Sequence, residues 1–224
     1  MTNSTSTARR IALIHALAHS PAPVRKEFER QWPECRLMNL LDDSLSADLA
    51  ATPGGLDNAM FRRFQVLADY AVDTGADAIL FTCSAFGPCI EAAARRHSNI
   101  PVLKPNEAMI AQAVRLKTRV GLVASFAPTL KTMPAEFPDT SEIDCELADG
   151  ALAALDSGDP HEHDRLVAAA AQRLQRRGCG AIALTQFSMA RAANDVEAVV
   201  RLPVLTTVGS AVTELRARLL GTVR

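Results

Sequence analysis

Gly75-Ala76-Asp77-Ala78-Ile79-Leu80-Phe81-Thr82-Cys83 aligns without a gap on Gly178-Cys179-Gly180-Ala181-Ile182-Ala183-Leu184-Thr185-Gln186. Gly, Ala, Ile and Thr coincide at four places. Each stretch is a short apolar run without a helical stripe, which reads as a buried strand. The match extends outward. Downstream, Ile100-Pro101-Val102-Leu103 mirrors Leu202-Pro203-Val204-Leu205. Upstream, Arg10-Ile11-Ala12-Leu13-Ile14 mirrors Arg119-Val120-Gly121-Leu122-Val123. Three matched blocks in the same order define an internal repeat of a four-strand α/β unit.

Between these strands the chain alternates with helices. Pro21 and Pro23 open a helix to about Trp32, and Arg36 to Leu40 is the second strand. Asp42 to Gly55 is polar and ends in Pro53-Gly54-Gly55, which predicts a loop. Met60, Phe64, Leu67 and Ala71 lie at helical spacing, stopped by Gly75. Helices follow to about His97 and from Pro105 to about Lys117. In the second half Pro128 marks a helix start, Ile143 to Leu147 a strand, and Asp159-Pro160 a long helix. Helices over 188–200 and 210–220 complete it. Strict alternation requires parallel sheets covered on both faces. The expected architecture is α/β, with two pseudo-symmetric lobes, each a four-stranded parallel sheet flanked by helices, and a site in the cleft between them. The expected organisation is a disordered tail over 1–10, a first lobe over 11–117 and a second over 118–208. The C-terminal helix 209–224 is expected to pack back on the first lobe.

The 224 residues carry 24 Lys+Arg against 25 Asp+Glu, and this balance argues against a nucleic-acid or membrane-surface binder. No apolar run approaches the ~18 residues of a membrane span. The five cysteines are odd in number and irregularly spaced, so they do not read as a disulfide framework. A reducing cytoplasm is the simplest setting.

Ligands of open α/β sheets bind at the carboxyl ends of the strands. His15, Thr82, Cys83, Ser84, Lys104, Asn106, Ser125, Thr185, Gln186, Ser188, Thr206 and Thr207 fall there. Small hydroxyls dominate, which suits a small carboxylate. Cys83 follows a buried strand and precedes a helix, where N–H groups and the dipole favour thiolate, able to take a proton or attack as nucleophile. The bland alternative is a buried structural cysteine. His15 can serve as acid, base or anion holder, or simply bond to backbone.

Thr82-Cys83-Ser84 at the end of the third strand, in a two-lobed α/β chain, resembles the aspartate/glutamate/hydantoin racemase superfamily. Asn39-Leu40-Leu41-Asp42-Asp43-Ser44-Leu45, Val120-Gly121-Leu122-Val123-Ala124-Ser125 and Ser188-Met189-Ala190 are similar to family segments in the same order. The resemblance implies cofactor-independent proton transfer between two cysteines flanking the substrate Cα, with Cys83 the first. The partner position, read from the repeat, is Gln186, and an amide does not shuttle protons. Cys179 lies at the other end of its strand, and Cys89 belongs to the same lobe as Cys83.

Three chemistries stay open. One is racemisation or isomerisation with His15 or a bound water as second acid. Another is decarboxylation with one thiol, as in the family's arylmalonate decarboxylases, whose cysteine lies in the other lobe. The last is thiol addition to an unsaturated diacid, as in its maleate isomerases. A degenerate small-anion binder is the rival from another class. Cys83, Gln186 and His15 are the expected catalytic residues, and Thr82, Ser84, Ser125, Thr185, Ser188 and Asn106 the expected substrate contacts. No cofactor and no metal is expected. His161-Glu162-His163-Asp164 sits at a helix start where acidic residues serve the dipole, and alternate helical residues point apart. The expected partner is a small carboxylate-bearing substrate, and a homodimer is an expectation by analogy alone. G-x-G-x-x-G, G-x-x-x-x-G-K-[ST], H-E-x-x-H and G-x-S-x-G motifs are absent.

Overall fold

The computed structural model describes residues 8–221. Most of the expected tail lies outside the described residues, and Arg10 is already the first residue of a strand. Strands β1 (Arg10–His15), β2 (Arg36–Leu41), β3 (Ala78–Phe81) and β4 (Val102–Leu103) form one parallel sheet in the order β2-β1-β3-β4. Strands β5 (Val120–Ala124), β6 (Ile143–Leu147), β7 (Ala181–Leu184) and β8 (Val204–Thr206) form a second in the order β6-β5-β7-β8. The centre of each sheet is buried along its length: every residue of β3, β5 and β7 is buried, and only Arg10 of β1 is not. Strands buried on both faces need uninterrupted apolar runs, which is what the repeated blocks supply.

The two sheets repeat each other bond for bond. Thr82 N donates to Ile14 O and Thr185 N to Val123 O, both at 3.0 Å. Ile79 N donates to Pro101 O and Ile182 N to Pro203 O, both at 2.9 Å. Asp42 N reaches His15 O where Ala148 N reaches Ala124 O. These bonds set Ile14 against Val123 and His15 against Ala124. Ser125 is therefore the counterpart of Ala16.

The helices are α1 (Pro21–Gln31), α2 (Ser44–Ala51), α3 (Asn58–Asp73), α4 (Gly87–Arg96), α5 (Glu107–Arg115), α6 (Ala127–Thr132), α7 (Ala151–Asp156), α8 (Pro160–Arg176), α9 (Ala193–Val200) and α10 (Thr207–Leu220). Side-chain caps start the two longest: Asp57 accepts from Met60 N at 2.8 Å, and Asp159 from Glu162 N at 3.0 Å. Gly75 and Gly178 stop them at φ 82° and 91°, a region that glycine enters without a Cβ clash. Two helices were not expected. Asp42 to Gly55 is not all loop: α2 occupies its middle, with Leu45 buried and Leu49 packed at i, i+4. Helix α7 occupies the same place in the second half, directly after β6. Both are short and begin beside polar or glycine residues, which reads as loop composition.

Each sheet is covered on one face by its own helices. Residues of α3 and α4, Phe64, Ala68, Ile90 and Ala93 among them, pack with Ile14, Ile79 and Phe81. Residues of α8 and α9, including Val167, Leu174 and Val196, pack with Val123, Ile182 and Leu184. The opposite faces are covered by exchange. Met109, Ile110 and Ala113 of α5, which follows the first sheet, pack with Val120, Leu122 and Ala183 of the second. Val208, Ala211, Val212 and Leu215 of α10, which follows the second sheet, pack with Ile11, Leu13, Ala78 and Leu80 of the first, alongside Phe28 of α1. Each fully buried Val or Leu here contributes about 1.5–3 kcal/mol. The exchanged helices also touch each other: Ser210 Oγ donates to Gln112 Oε1 at 2.7 Å, and Arg218 pairs with Glu107 at 3.1 Å.

Candidate active site

Both inner strands end in the same way. Cys83 leaves β3 in extended backbone (φ −125°, ψ 121°), and a 3₁₀ turn over Ser84–Phe86 follows. Gln186 leaves β7 at φ −130°, ψ 144°, and a 3₁₀ turn over Phe187–Ala192 follows. The first turn is anchored by Phe86, whose ring packs 4.8 Å from that of Phe64, which in turn lies 5.2 Å from Phe81. The two strand ends open on one cavity of ≈ 420 Å³. Thr82, Cys83 and Ser84 line it from the first half, and Thr185, Gln186 and Ser188 from the second. The unexpected helices supply walls: Ser46 and Leu49 from α2, Leu152 from α7. Phe126 and Phe187 add further apolar surface. Among the described residues that line it, none carries a charge at neutral pH. A carboxylate entering this space meets neutral hydroxyl and amide donors.

Cys83 is partly buried, and desolvation dominates its environment. Burial pushes the thiol pKa up; hydrogen bonds from Ala85 N–H and the Ser46 hydroxyl pull it down by less. The expectation of a dipole-favoured thiolate is thus corrected. A three-residue 3₁₀ turn offers too small a dipole to offset the loss of water. The thiolate is therefore the minor form at neutral pH. Ala16 O, 2.8 Å from Ser46 Oγ, competes with the sulfur for that single hydroxyl proton.

His15 is fully buried and is not among the cavity-lining residues. Burial lowers its pKa, the bond to Asn39 opposing, so the ring is neutral. Its Nε2 lies 3.0 Å from Asn39 Oδ1, an acceptor, which places the single ring proton on Nε2. Nδ1 then accepts from Thr82 Oγ1 at 2.9 Å. Thr185 Oγ1 donates to Val123 O at 2.9 Å. The hydroxyl protons of Thr82 and Thr185 are therefore turned to the protein, and both side chains pin the strand ends that carry Cys83 and Gln186.

Ser125 lies outside the lining but fixes Gln186: its N–H and Oγ both donate to Gln186 Oε1, at 2.6 and 3.1 Å. Ser188 is 2% exposed, and its Oγ has no partner. Asn106 is buried beside the site, its Nδ2 donating to Glu136 at 3.3 Å, and it does not line the cavity. Lys104 is paired with Glu91 at 2.7 Å. In the acidic-histidine stretch, His163 Nδ1 lies 2.7 Å from Asp164, whose two oxygens accept from Arg191 at 2.9 and 3.1 Å. That is an ion-pair network joining α8 to the turn after β7. Among the described residues no group of three or more His, Cys, Asp or Glu could hold a metal ion. Ser46, Leu49, Leu152, Phe126 and Phe187 are among the lining residues that sequence reasoning missed. The i, i+4 pair Leu45 and Leu49 was the one signal that pointed to α2.

Two parallel sheets whose inner strands end on one uncharged cavity, with a thiol on one side and an amide on the other, define a two-sheet α/β protein with its candidate site between the sheets. The sequence matches the model of the Asp/Glu/Hydantoin racemase family over residues 14–215, and the chain belongs to that family. Among solved structures, allantoin racemase from Klebsiella pneumoniae is similar with a TM-score of 0.72 and 18% identity, over 96% of this chain and 89% of that one. Glutamate racemase from Francisella tularensis gives 0.70 and 13%, over 96% and 82%. Unliganded arylmalonate decarboxylase gives 0.64 and 16%, over 97% and 94%. Among curated proteins no sequence matches. No helix among the described residues is long and apolar enough to cross a membrane.

Proposed function

We propose that this protein is a cofactor-independent proton-transfer enzyme on a racemase-family fold, acting at the carbon next to a carboxylate or carbonyl of a small acid, with Cys83 as the acid/base. The observation that carries this reading is the position of Cys83: a thiol at a strand end, in a cavity without charged side chains, opposite amide and hydroxyl donors. A neutral, desolvated site strengthens each donor's hold on the negative oxygen that forms when the α-proton leaves. Ser84, Gln186 and Ser188 are the donors in this reading. His15 gives no second acid, because both ring nitrogens are engaged and the ring stands outside the cavity. The five free cysteines suit a reducing compartment, and we place the protein in the cytoplasm on that ground.

A second reading is favoured by the protonated state of Cys83. A thiol that holds its proton at neutral pH is poised to deliver it to a carbanion left by loss of carbon dioxide. Both readings share the same sulfur. The test is incubation with amino acids, hydantoins and malonates in D2O, following solvent deuterium at the α-carbon. Incorporation is expected for at least one class, falling about 10²–10⁴-fold in Cys83→Ala. Undiminished incorporation in that variant would remove Cys83 from the chemistry. Incorporation only with loss of carbon dioxide would select the decarboxylase.

A further inference from the structure

Gln186 stands where the repeat would place a second thiol, and the structure fixes which end of its amide meets the ligand. A backbone N–H can only donate, so the atom 2.6 Å from Ser125 N must be the amide oxygen. The Ser125 hydroxyl reaches the same oxygen at 3.1 Å. With Oε1 doubly held, Nε2 is turned away from Ser125. It has no hydrogen-bond partner among the described residues, and the side chain lines the cavity. Ser188 supplies a second, independent sign. Its hydroxyl is buried at the same wall with no partner, and such groups in native structures are satisfied by something.

We infer that Gln186 Nε2 and Ser188 Oγ are a preset pair of donors for one oxygen of the substrate's carboxylate, and that they confine proton traffic to the Cys83 face. The second clause rests on the proposed function; the first does not. In the exchange direction, the Cys83 thiol first gives its proton to solvent water; the minor thiolate so formed takes the Cα proton, and the C–H electron pair moves into the enediolate, whose oxygen is held by the two donors. The S–H exchanges with solvent. The sulfur then returns a proton to the same face, and the electron pair returns to the new C–H bond. An amide N–H donates a hydrogen bond without giving up its proton, so nothing arrives from the other side. The product keeps its handedness, and one enantiomer is the substrate.

Two measurements test this. In the ¹⁵N-labelled protein, the Gln186 side-chain NH₂ signals are identified by their absence in Gln186→Met and followed while methylmalonate is added. They are expected to shift in step with saturation. Gln186→Met is expected to weaken methylmalonate about tenfold or more, the loss of a hydrogen bond to a charged group. Ser125→Ala keeps the backbone N–H that orients the amide and is expected to change affinity less than about threefold. Unmoved NH₂ signals at saturation, no binding at high millimolar concentration, or unchanged affinity in Gln186→Met overturns the donor assignment. Separately, enantiopure substrate in D2O is expected to gain deuterium with retention, and Gln186→Cys to add inversion. Inversion by the unaltered protein overturns the one-face clause while leaving the proton-transfer reading intact. Absence of exchange everywhere sinks that reading and leaves the amide result to stand on its own.

Discussion

The sulfur of Cys83 has exchanged water for an apolar wall and two weak donors, and this sets its pH behaviour. Burial disfavours the charged form, so the folded pKa lies above the ordinary thiol value of 9.0 and the thiolate is scarcer at every lower pH. Alkylation of Cys83 by iodoacetamide, followed by site-resolved mass spectrometry, is expected to be slower at pH 7 than for a free thiol. It should keep climbing beyond pH 9. A rate that levels off near pH 9 would mean the thiol is solvated. The places of Cys83 and Gln186 at matching strand ends were legible in the sequence, because the repeated blocks align them without a gap. His15 was misplaced for a physical reason. Its ring is fully buried and bonded to Thr82 and Asn39 on its two nitrogens, so it does not reach the cavity although Thr82 does. No pattern in one sequence shows that a strand-end histidine is taken up by its neighbours in this way. Ser125 was legible as a candidate, but not its task, since a hydroxyl that holds another side chain and one that holds a ligand look alike in sequence.

At the scale of elements, the strands and long helices were written in apolar runs, caps and stop signals, and the short helices were not. Helix α2 has eight residues and α7 six, too short for a periodic stripe, yet both wall the cavity. Their formation depends on tertiary contacts such as the burial of Leu45. Close packing of helix on sheet is tightest at Gly121 of β5. A Cβ there would stand 2.8 Å from Leu174 Cδ1 and 2.9 Å from its Cβ, on α8. Gly121→Ala is expected to cost about 1–3 kcal/mol, because the Leu174 Cβ is tied to the helix backbone and cannot swing aside. Urea denaturation measures it, with Gly54→Ala as control, where nothing lies within 4 Å and a change within about 0.5 kcal/mol is expected. Equal effects at both glycines would contradict the packing argument.

For the whole molecule the exchanged helices matter most. Cutting the chain after residue 117 strips α10 from the first sheet and α5 from the second, leaving one face of each only partly covered, by α1 in the first and by Met133 and Phe137 in the second. Fragments 1–117 and 118–224 are each expected to lack a cooperative melt by far-UV circular dichroism, and to regain one when mixed. A first fragment that melts cooperatively alone would show that α10 is dispensable to its core. The alternation of strand and helix was enough to reveal two sheets; the crossing of α5 and α10 was not, since an apolar helix stripe does not say which sheet it will cover.

Two separate copies of one short chain, lending each other their last helix, would present identical groups from both sides: a pair of thiols or none. Here a single continuous polypeptide spells the two sides independently. That covalent linkage permits the left and right banks of the cavity to carry different groups, a thiol on one and an amide on the other.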